Sequence, residues 1–285
     1  KGRVIFFAID ENDPVLTDHR VKGQRVVFVR NGMIVIAEGA EETALTTLDK
    51  IPLTHQGRIL FQVENVLASV AACWGVGLSI PQIVIGLESF SAHMDKVPGR
   101  FNLLDVHGAT VVADYGHNAS SLLAIIEALG QFPHSHRTVV YSAAGDRRDI
   151  DMIRQGEILA DHFDRVILYE DQYLRGRKPG EISSIFKRGM DSGKRVKEVY
   201  DFIGWDKAVE HALTLIKAGD LMLLQADTID ETVQYLQRAI EHNQLGREID
   251  LNSALESNPN GPTASQESNP TMNLGNKATS NNSAS

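Results

Sequence analysis

The hydrophobic pattern divides the chain into three stretches. Residues 4–9 (VIFFAI) form a continuous apolar run, the mark of a buried strand, closed by the polar sequence Asp10-Glu11-Asn12-Asp13-Pro14. A short helix is expected over residues 15–21. Residues 24–30 and 33–37 alternate apolar and polar positions. Asn31-Gly32 joins them, which predicts a hairpin with a type I′ turn. One more strand is expected over residues 45–53. Residues 61–75 then switch to helical spacing, with Val63, Val66, Leu67, Val70, Ala71 and Trp74 on one side. A second helix is expected over residues 80–90, started by Ser79 and Pro81.

Pro98-Gly99 marks a boundary, and strands alternate with helices after it. Two short strands end at Asp114. A helix begins near Ser120, with Leu122, Leu123, Ile125, Ile126 and Leu129 apolar and Gly130 placed to stop it. Strands follow at 137–143, 165–169, 195–200 and 221–225, and helices at 152–163, 181–190, 205–218 and 228–240. This alternation predicts an α/β, doubly wound, mostly parallel sheet. From about Gln244 the composition turns to Asn, Ser, Pro, Gly and Thr, and the tetrapeptide ESNP occurs twice. Such a segment has too little apolar surface to offset its ordering entropy, so a disordered tail is expected. The expected organisation is one domain end over residues 1–97, a Rossmann-type domain over 98–243 and a tail over 244–285.

Composition narrows the function. The chain has 285 residues, 42% of them apolar, and a formal net charge of −9. No basic face stands out, which argues against nucleic acid as a partner. The single cysteine, Cys73, allows no internal disulfide and fits a reducing compartment. No apolar run is long enough to span a membrane and no secretory signal is present, so a cytoplasmic protein without membrane contact is expected. The chain opens directly on a core-type strand, which suggests the downstream part of a longer polypeptide.

Three charged loops follow strands of one sheet: residues 114–118 (DYGHN), 145–149 (GDRRD) and 170–180 (EDQYLRGRKPG). Loops at the carboxyl ends of parallel strands share one edge, where ligands of open α/β sheets bind. Asp114, His117 and Asn118 stand before a helix N-terminus, a place that favours phosphate. Helix capping explains Asp114 and Asn118 equally well when they are taken alone. In the second loop, Arg147 and Arg148 lie between Asp146 and Asp149. Guanidinium forks suit carboxylate and phosphate, although a self-paired surface turn has the same composition. The third loop offers Glu170 and Asp171 to a cation, and Arg175 and Arg177 to an anion. That mixture suits a zwitterionic amino acid. Asn65, near the start of a helix, and Arg100, at the boundary, complete the candidates. His134 and His136 have no partner at metal-ligand spacing, so no metal site is assigned. A G-x-x-x-x-G-K-[ST] loop, a G-x-G-x-x-G turn and a G-x-S-x-G elbow are all absent from these residues.

PGRFNLLD followed by DYGHN resembles the arginine turn and DYAHNP motif of the Mur ligase family, and ENVLASVAA resembles the helix start that carries its asparagine. The GDRRD loop together with EDQYLRGRKPGE is similar to the cyanophycin synthetase branch of that family. The similarity spans about residues 4–240. It implies the end of a Mur-ligase central ATPase domain followed by the family's Rossmann-like C-terminal domain. It also implies an ATP- and Mg2+-dependent amide ligase of the storage-polymer type. Such an enzyme activates an aspartate β-carboxylate as an acyl phosphate and joins it to arginine's α-amine on the cyanophycin polymer, while an upstream ATP-grasp module adds aspartate. Carried over by motif, Arg100 would be catalytic and reach the phosphates across the cleft. Asn65 would contact adenine, Asp114 the ribose or hinge, and His117 and Asn118 the base pocket. Asp146, Arg147, Arg148, Glu170, Asp171, Arg175 and Arg177 would border arginine and the polymer. A homo-oligomer is also implied.

The sequence departs from the pattern in places. Gly116 stands for the usual alanine and Ala119 for the proline. Ile150 stands for an acid, and Gln172-Tyr173-Leu174 stands where acids are common. The main phosphate loop and the metal-binding region are missing and would lie upstream, so these residues alone are expected to be inactive. The competing readings are a Mur-type ligase of the peptidoglycan or folylpolyglutamate class and a non-catalytic nucleotide- or polymer-binding module.

Overall fold

The computed structural model describes residues 3–225, together with 231–232, 234–236, 238 and 247–248. The expected tail, and most of the helix expected over 228–240, lie outside the described residues.

The first unit is a four-stranded sheet in the order β1-β2-β3-β4. Strand β1 (Phe6–Asp10) runs parallel to β2 (Arg25–Arg30), and helix α1 (Pro14–Val21) connects them. The Asp13 side chain caps α1 by accepting from Val15 N and Leu16 N. Strand β3 (Met33–Glu38) pairs antiparallel with β2 in the expected hairpin. Arg30 faces Met33, and Asn31 and Gly32 both take positive φ (49° and 72°), as a type I′ turn requires. Helix α2 (Leu60–Gly75) lays Val63, Val66, Leu67 and Val70 on Val27, Ile34 and Ile36. Helix α3 (Ile80–Ser89) begins with the Ser79–Gln82 capping box. The strand expected over 45–53 is displaced. Strand β4 runs Glu41–Thr47, and two 3-10 turns, Leu48–Lys50 and Pro52–Thr54, follow it. Pro52 has no N–H for a ladder. The Thr54 hydroxyl donates to the carbonyls of Leu48 (2.8 Å) and Ile51 (2.9 Å), which bends the chain back on itself.

The second unit is a seven-stranded sheet in the order β11-β5-β6-β10-β7-β8-β9. Its strands are β5 (Asn102–Val106), β6 (Ala109–Asp114), β7 (Arg137–Tyr141), β8 (Arg165–Glu170), β9 (Glu198–Ile203), β10 (Leu221–Gln225) and β11 (Arg247–Glu248). Strands β6, β10, β7, β8 and β9 run parallel to one another, while β5 and β11 extend the sheet antiparallel. Strand β10 enters the centre of the sheet, between β6 and β7. The strand expected over 195–200 starts later, because the backbone N–H groups of Arg195 and Val196 bond Ala160 O and so cannot join the ladder.

Helices α4 (Ala119–Leu129), α5 (Asp149–His162) and α6 (Glu181–Met190) bury one face of this sheet. Helix α7 (Trp205–Leu215) covers the other. The parallel sheet is therefore wound on both faces. Helices α5 and α6 cross closely because glycines face each other. A β-carbon on Gly156 would overlap Phe186 O, and one on Gly189 would overlap Ile153 O. The C-terminal half of α6 is thereby packed closely on the first half of α5. The two units meet through Ile59 and Phe61, which pack with Phe101, Leu122 and Phe132 of the second unit.

Candidate functional site

The parallel register places the ends of β6, β10, β7 and β8 on one edge. Asp114 faces Gln225, and Tyr141 faces Leu168. Helices α4, α5 and α6 begin there, so their positive N-terminal ends converge on the crevice that this fold uses for ligands.

One wall is the turn at residues 98–102 with the loop after β6. Gly99 (φ 66°) and Phe101 (φ 54°) both take left-handed backbone on either side of exposed Arg100. Three hydrogen bonds hold that shape. Asn102 Oδ1 accepts from Gly99 N (2.7 Å), Gly99 O accepts from Tyr115 N (2.9 Å), and Asp114 Oδ2 accepts from Phe101 N (2.8 Å). The second oxygen of Asp114 accepts from Gly116 N at 2.6 Å. Asp114 is buried, with 7% of its surface exposed. Burial pushes its carboxyl above the usual range, opposed by the Gly116 and Phe101 N–H groups and by Arg100. Both its oxygens are thus engaged by the chain's own backbone.

The Arg100 guanidinium lies over the Tyr115 ring, 5.5 Å from its centre, and that ring meets His117 at 4.6 Å in a tilted contact. Cation, phenol and imidazole thus lie in one row, with the two rings inclined at 56°. Asn118 caps α4, its Oδ1 accepting from Ser121 N at 2.9 Å. Asn65 is exposed on α2 and donates to Gln62 Oε1 (3.1 Å). Among the described residues it makes no hydrogen bond to the other candidates.

The other wall joins the second and third loops. Leu174 and Arg175 pass directly over Gly145. Arg175 pairs with Asp146 (2.9 Å) and holds that carboxyl below its usual range. Arg177 is the hub. Its Nε donates to Gly145 O (2.7 Å), one terminal nitrogen donates to Arg147 O and Asp149 Oδ1 (both 2.8 Å), and the other donates to Glu181 Oε1 (2.8 Å). Asp149 also pairs with Arg188, and Arg148 pairs with Asp151. Glu170, expected to border the substrate, is 1% exposed. Its two oxygens accept from Gly180 N (2.6 Å) and Ser183 N (3.0 Å) at the start of α6. Asp171 is half-buried beside it. Arg147 is exposed, and among the described residues its side chain makes no hydrogen bond.

Three residues with a part in this edge were not singled out from the sequence. Tyr115 stands between Arg100 and His117, in contact with both, and Arg188 closes the Asp149 pair. Gln225 ends β10 with 1% of its surface exposed. Its Oε1 accepts from Ser142 N at 3.1 Å, and its Nε2 has no partner among the described residues. The signal for Gln225 was a polar residue closing the apolar run LMLL. Among the described residues, no group of three or more His, Cys, Asp or Glu side chains is gathered as a metal would require. No helix there is long and apolar enough to cross a membrane.

Residues 99–227 match the family described as Mur ligase, glutamate ligase domain. The second unit is thus similar to a Mur ligase glutamate ligase domain over that segment. Its strands carry both antiparallel β5 and the inserted β10 described above. The chain is 27% identical over 241 residues to a cyanophycin synthetase of Geminocystis herdmanii, covering 84% of this chain and 27% of that protein. It is 24% identical over 265 residues to a UDP-N-acetylmuramoyl-L-alanyl-D-glutamate–2,6-diaminopimelate ligase of Alkaliphilus metalliredigens, covering 90% of this chain and 51% of that one. In fold it is similar to a murein peptide ligase of Psychrobacter arcticus, with a TM-score of 0.57 and 15% identity over 84% of this chain and 46% of the other. The chain therefore spans about a quarter of the cyanophycin synthetase it matches. The matched segment contains every candidate residue above except Asn65.

Proposed function

We propose that this chain is the C-terminal part of an ATP-dependent amide ligase of the cyanophycin synthetase type. In this reading, the parent enzyme activates aspartate β-carboxylates of a polyaspartate chain and joins them to the α-amine of arginine. The observation that carries the reading is the similarity to cyanophycin synthetase over 84% of the chain, which includes all three loops of the ligand edge. The polymer, arginine, aspartate, a homo-oligomeric state and a cytoplasmic location belong to the same proposal.

ATP would supply the phosphoryl group that activates the carboxylate. The half-buried rings of Tyr115 and His117 offer aromatic contact to a base, and Arg100 offers a guanidinium to phosphate. The donors suited to Mg2+ are not gathered among the described residues, so no step is assigned to the metal here. Arg147, with no hydrogen bond to occupy its guanidinium, is the side chain of the second loop best placed to meet a carboxylate. Arg175 and Arg177 act differently: they lock the second loop to the third and thus keep Arg147 at the crevice. Positive groups fixed before reaction stabilise the charge that spreads as an acyl phosphate is attacked.

The test is turnover by the full-length enzyme. ATP-dependent incorporation of arginine into a polyaspartate primer, with ADP released, is the expected result. Incorporation of a different amine onto a different acid would favour the peptidoglycan or folylpolyglutamate class. ATP binding without amide formation would favour a binding module.

A further inference from the structure

We propose that Asp114, together with the left-handed pair Gly99 and Phe101, forms a latch whose task is to aim Arg100 into the crevice. These are positioning residues, and the inference rests on the reading of Arg100 as a phosphate contact.

The geometry supports this in four steps. A bulky residue rarely adopts positive φ, because its β-carbon crowds the following carbonyl. Phe101 nevertheless sits at φ 54° and is 1% exposed. Such a conformation persists only where the surroundings over-determine it. Here the ring is fixed from both units. It packs edge-on against Phe61 at 5.5 Å and His55 at 6.1 Å, and it meets Phe132 at 6.3 Å. The backbone is fixed from the sheet, because Asp114 Oδ2 takes the Phe101 N–H. Arg100 is the exposed side chain of the turn, and it lies over Tyr115.

Asp114 is suited to the task for a chemical reason. It must accept two backbone N–H groups at once, from Phe101 and Gly116, and a carboxylate offers two acceptor oxygens. An asparagine of the same shape offers one oxygen and turns an NH2 toward the other N–H. The turn would then be released on one side, and the α4 loop would be disturbed little. Asn102 braces the opposite end. Its Oδ1 holds Gly99 N, while its Nδ2 donates to Ala92 O (2.9 Å) and Val97 O (3.2 Å). The segment that leads out of the first unit is thereby tied to the same turn. A shift between the two units would be felt at Arg100 through Phe61 and Phe101.

The experiment is a double-mutant cycle in the full-length enzyme, reading kcat and the KM for ATP from ADP release. Arg100→Ala and Asp114→Asn should each lower kcat by about tenfold or more, and the double variant should fall no further than Arg100→Ala alone. Asp114→Asn should leave the KM for ATP near wild type. If Asp114→Asn does not fold, Gly99→Ala is used instead, since an alanine at φ 66° strains the same turn from its other side. The same non-additivity with Arg100→Ala is expected. Losses that multiply in the double variant would overturn the latch. So would a raised KM for ATP with kcat unchanged, which would make Asp114 a nucleotide ligand. Unchanged turnover in Arg100→Ala would instead overturn the role of Arg100 itself, and the latch with it.

Discussion

Gly145 lies so close beneath Leu174 that a β-carbon there would stand 2.9 Å from the Leu174 carbonyl carbon and overlap its oxygen. This approach lets Arg177 reach Gly145 O and Arg147 O, and lets Arg175 reach Asp146. Gly145→Ala must push the two loops apart. A loss of roughly 1–3 kcal/mol is expected, in the range for overpacking a tight contact, seen as a lower midpoint in urea unfolding. The variant should also weaken protection of the 170–180 loop in hydrogen exchange. Unchanged protection would mean that the loops hold together without this contact.

The α5–α6 crossing makes a related prediction with competing terms. Replacing a glycine inside a helix by alanine normally stabilises by up to about 1 kcal/mol. At Gly189 the added methyl meets Ile153 O and comes within 3.0 Å of Glu157 N. Both neighbours are backbone and cannot swing aside. Gly189→Ala should therefore destabilise by roughly 1–3 kcal/mol, against helix propensity. A rise in the melting temperature would show that the helices can separate at little cost.

These glycines also show what a sequence does and does not reveal. The Asn31-Gly32 hairpin, the α2 stripe and the strand–helix alternation after Gly99 follow from local periodicity and turn chemistry, and the structure has them. The central place of β10 is a long-range choice that no local pattern encodes. The loop charges were legible as charges, and their edge followed from strand order. Their pairings were not legible, because Arg177 meets Gly145, Arg147 and Asp149 from about 30 residues away. Glu170 reads as a loop acid only until the start of α6 folds over it. Asp114 and Asn118 show capping and turn-holding geometry in the structure, alongside any role toward a ligand.

Asn118 separates those two roles experimentally. As the N-cap of α4, it should lose about 1 kcal/mol on replacement by alanine and almost nothing on replacement by serine, which caps as well. Thermal unfolding of both variants checks this. If nucleotide affinity in the full-length enzyme follows the cap, Asn118→Ser should bind like wild type. Weak binding by Asn118→Ser at undiminished stability would instead show that the amide itself meets the base.

Arg177 makes the stability of the second wall depend on pH. The Arg177 guanidinium, with Arg188 behind it, holds the Asp149 carboxyl below its usual range. The Lys178 N–H, followed by Arg177, does the same for Glu181. A carboxyl that is more acidic folded than unfolded stabilises the fold above its unfolded value and loses that contribution as pH falls through the lowered one. Wild-type stability should therefore decline on the acid side, with Asp149 and Glu181 contributing to the slope. Both carboxylates face solvent, so salt should reduce their share. Arg177→Met removes the partner of both while keeping much of the side chain's apolar bulk. Its urea midpoint should be lower than wild type near pH 7, and the gap should narrow toward about pH 3. A gap that stays constant across this range would assign the role of Arg177 to its bonds with Gly145 O and Arg147 O, which do not titrate.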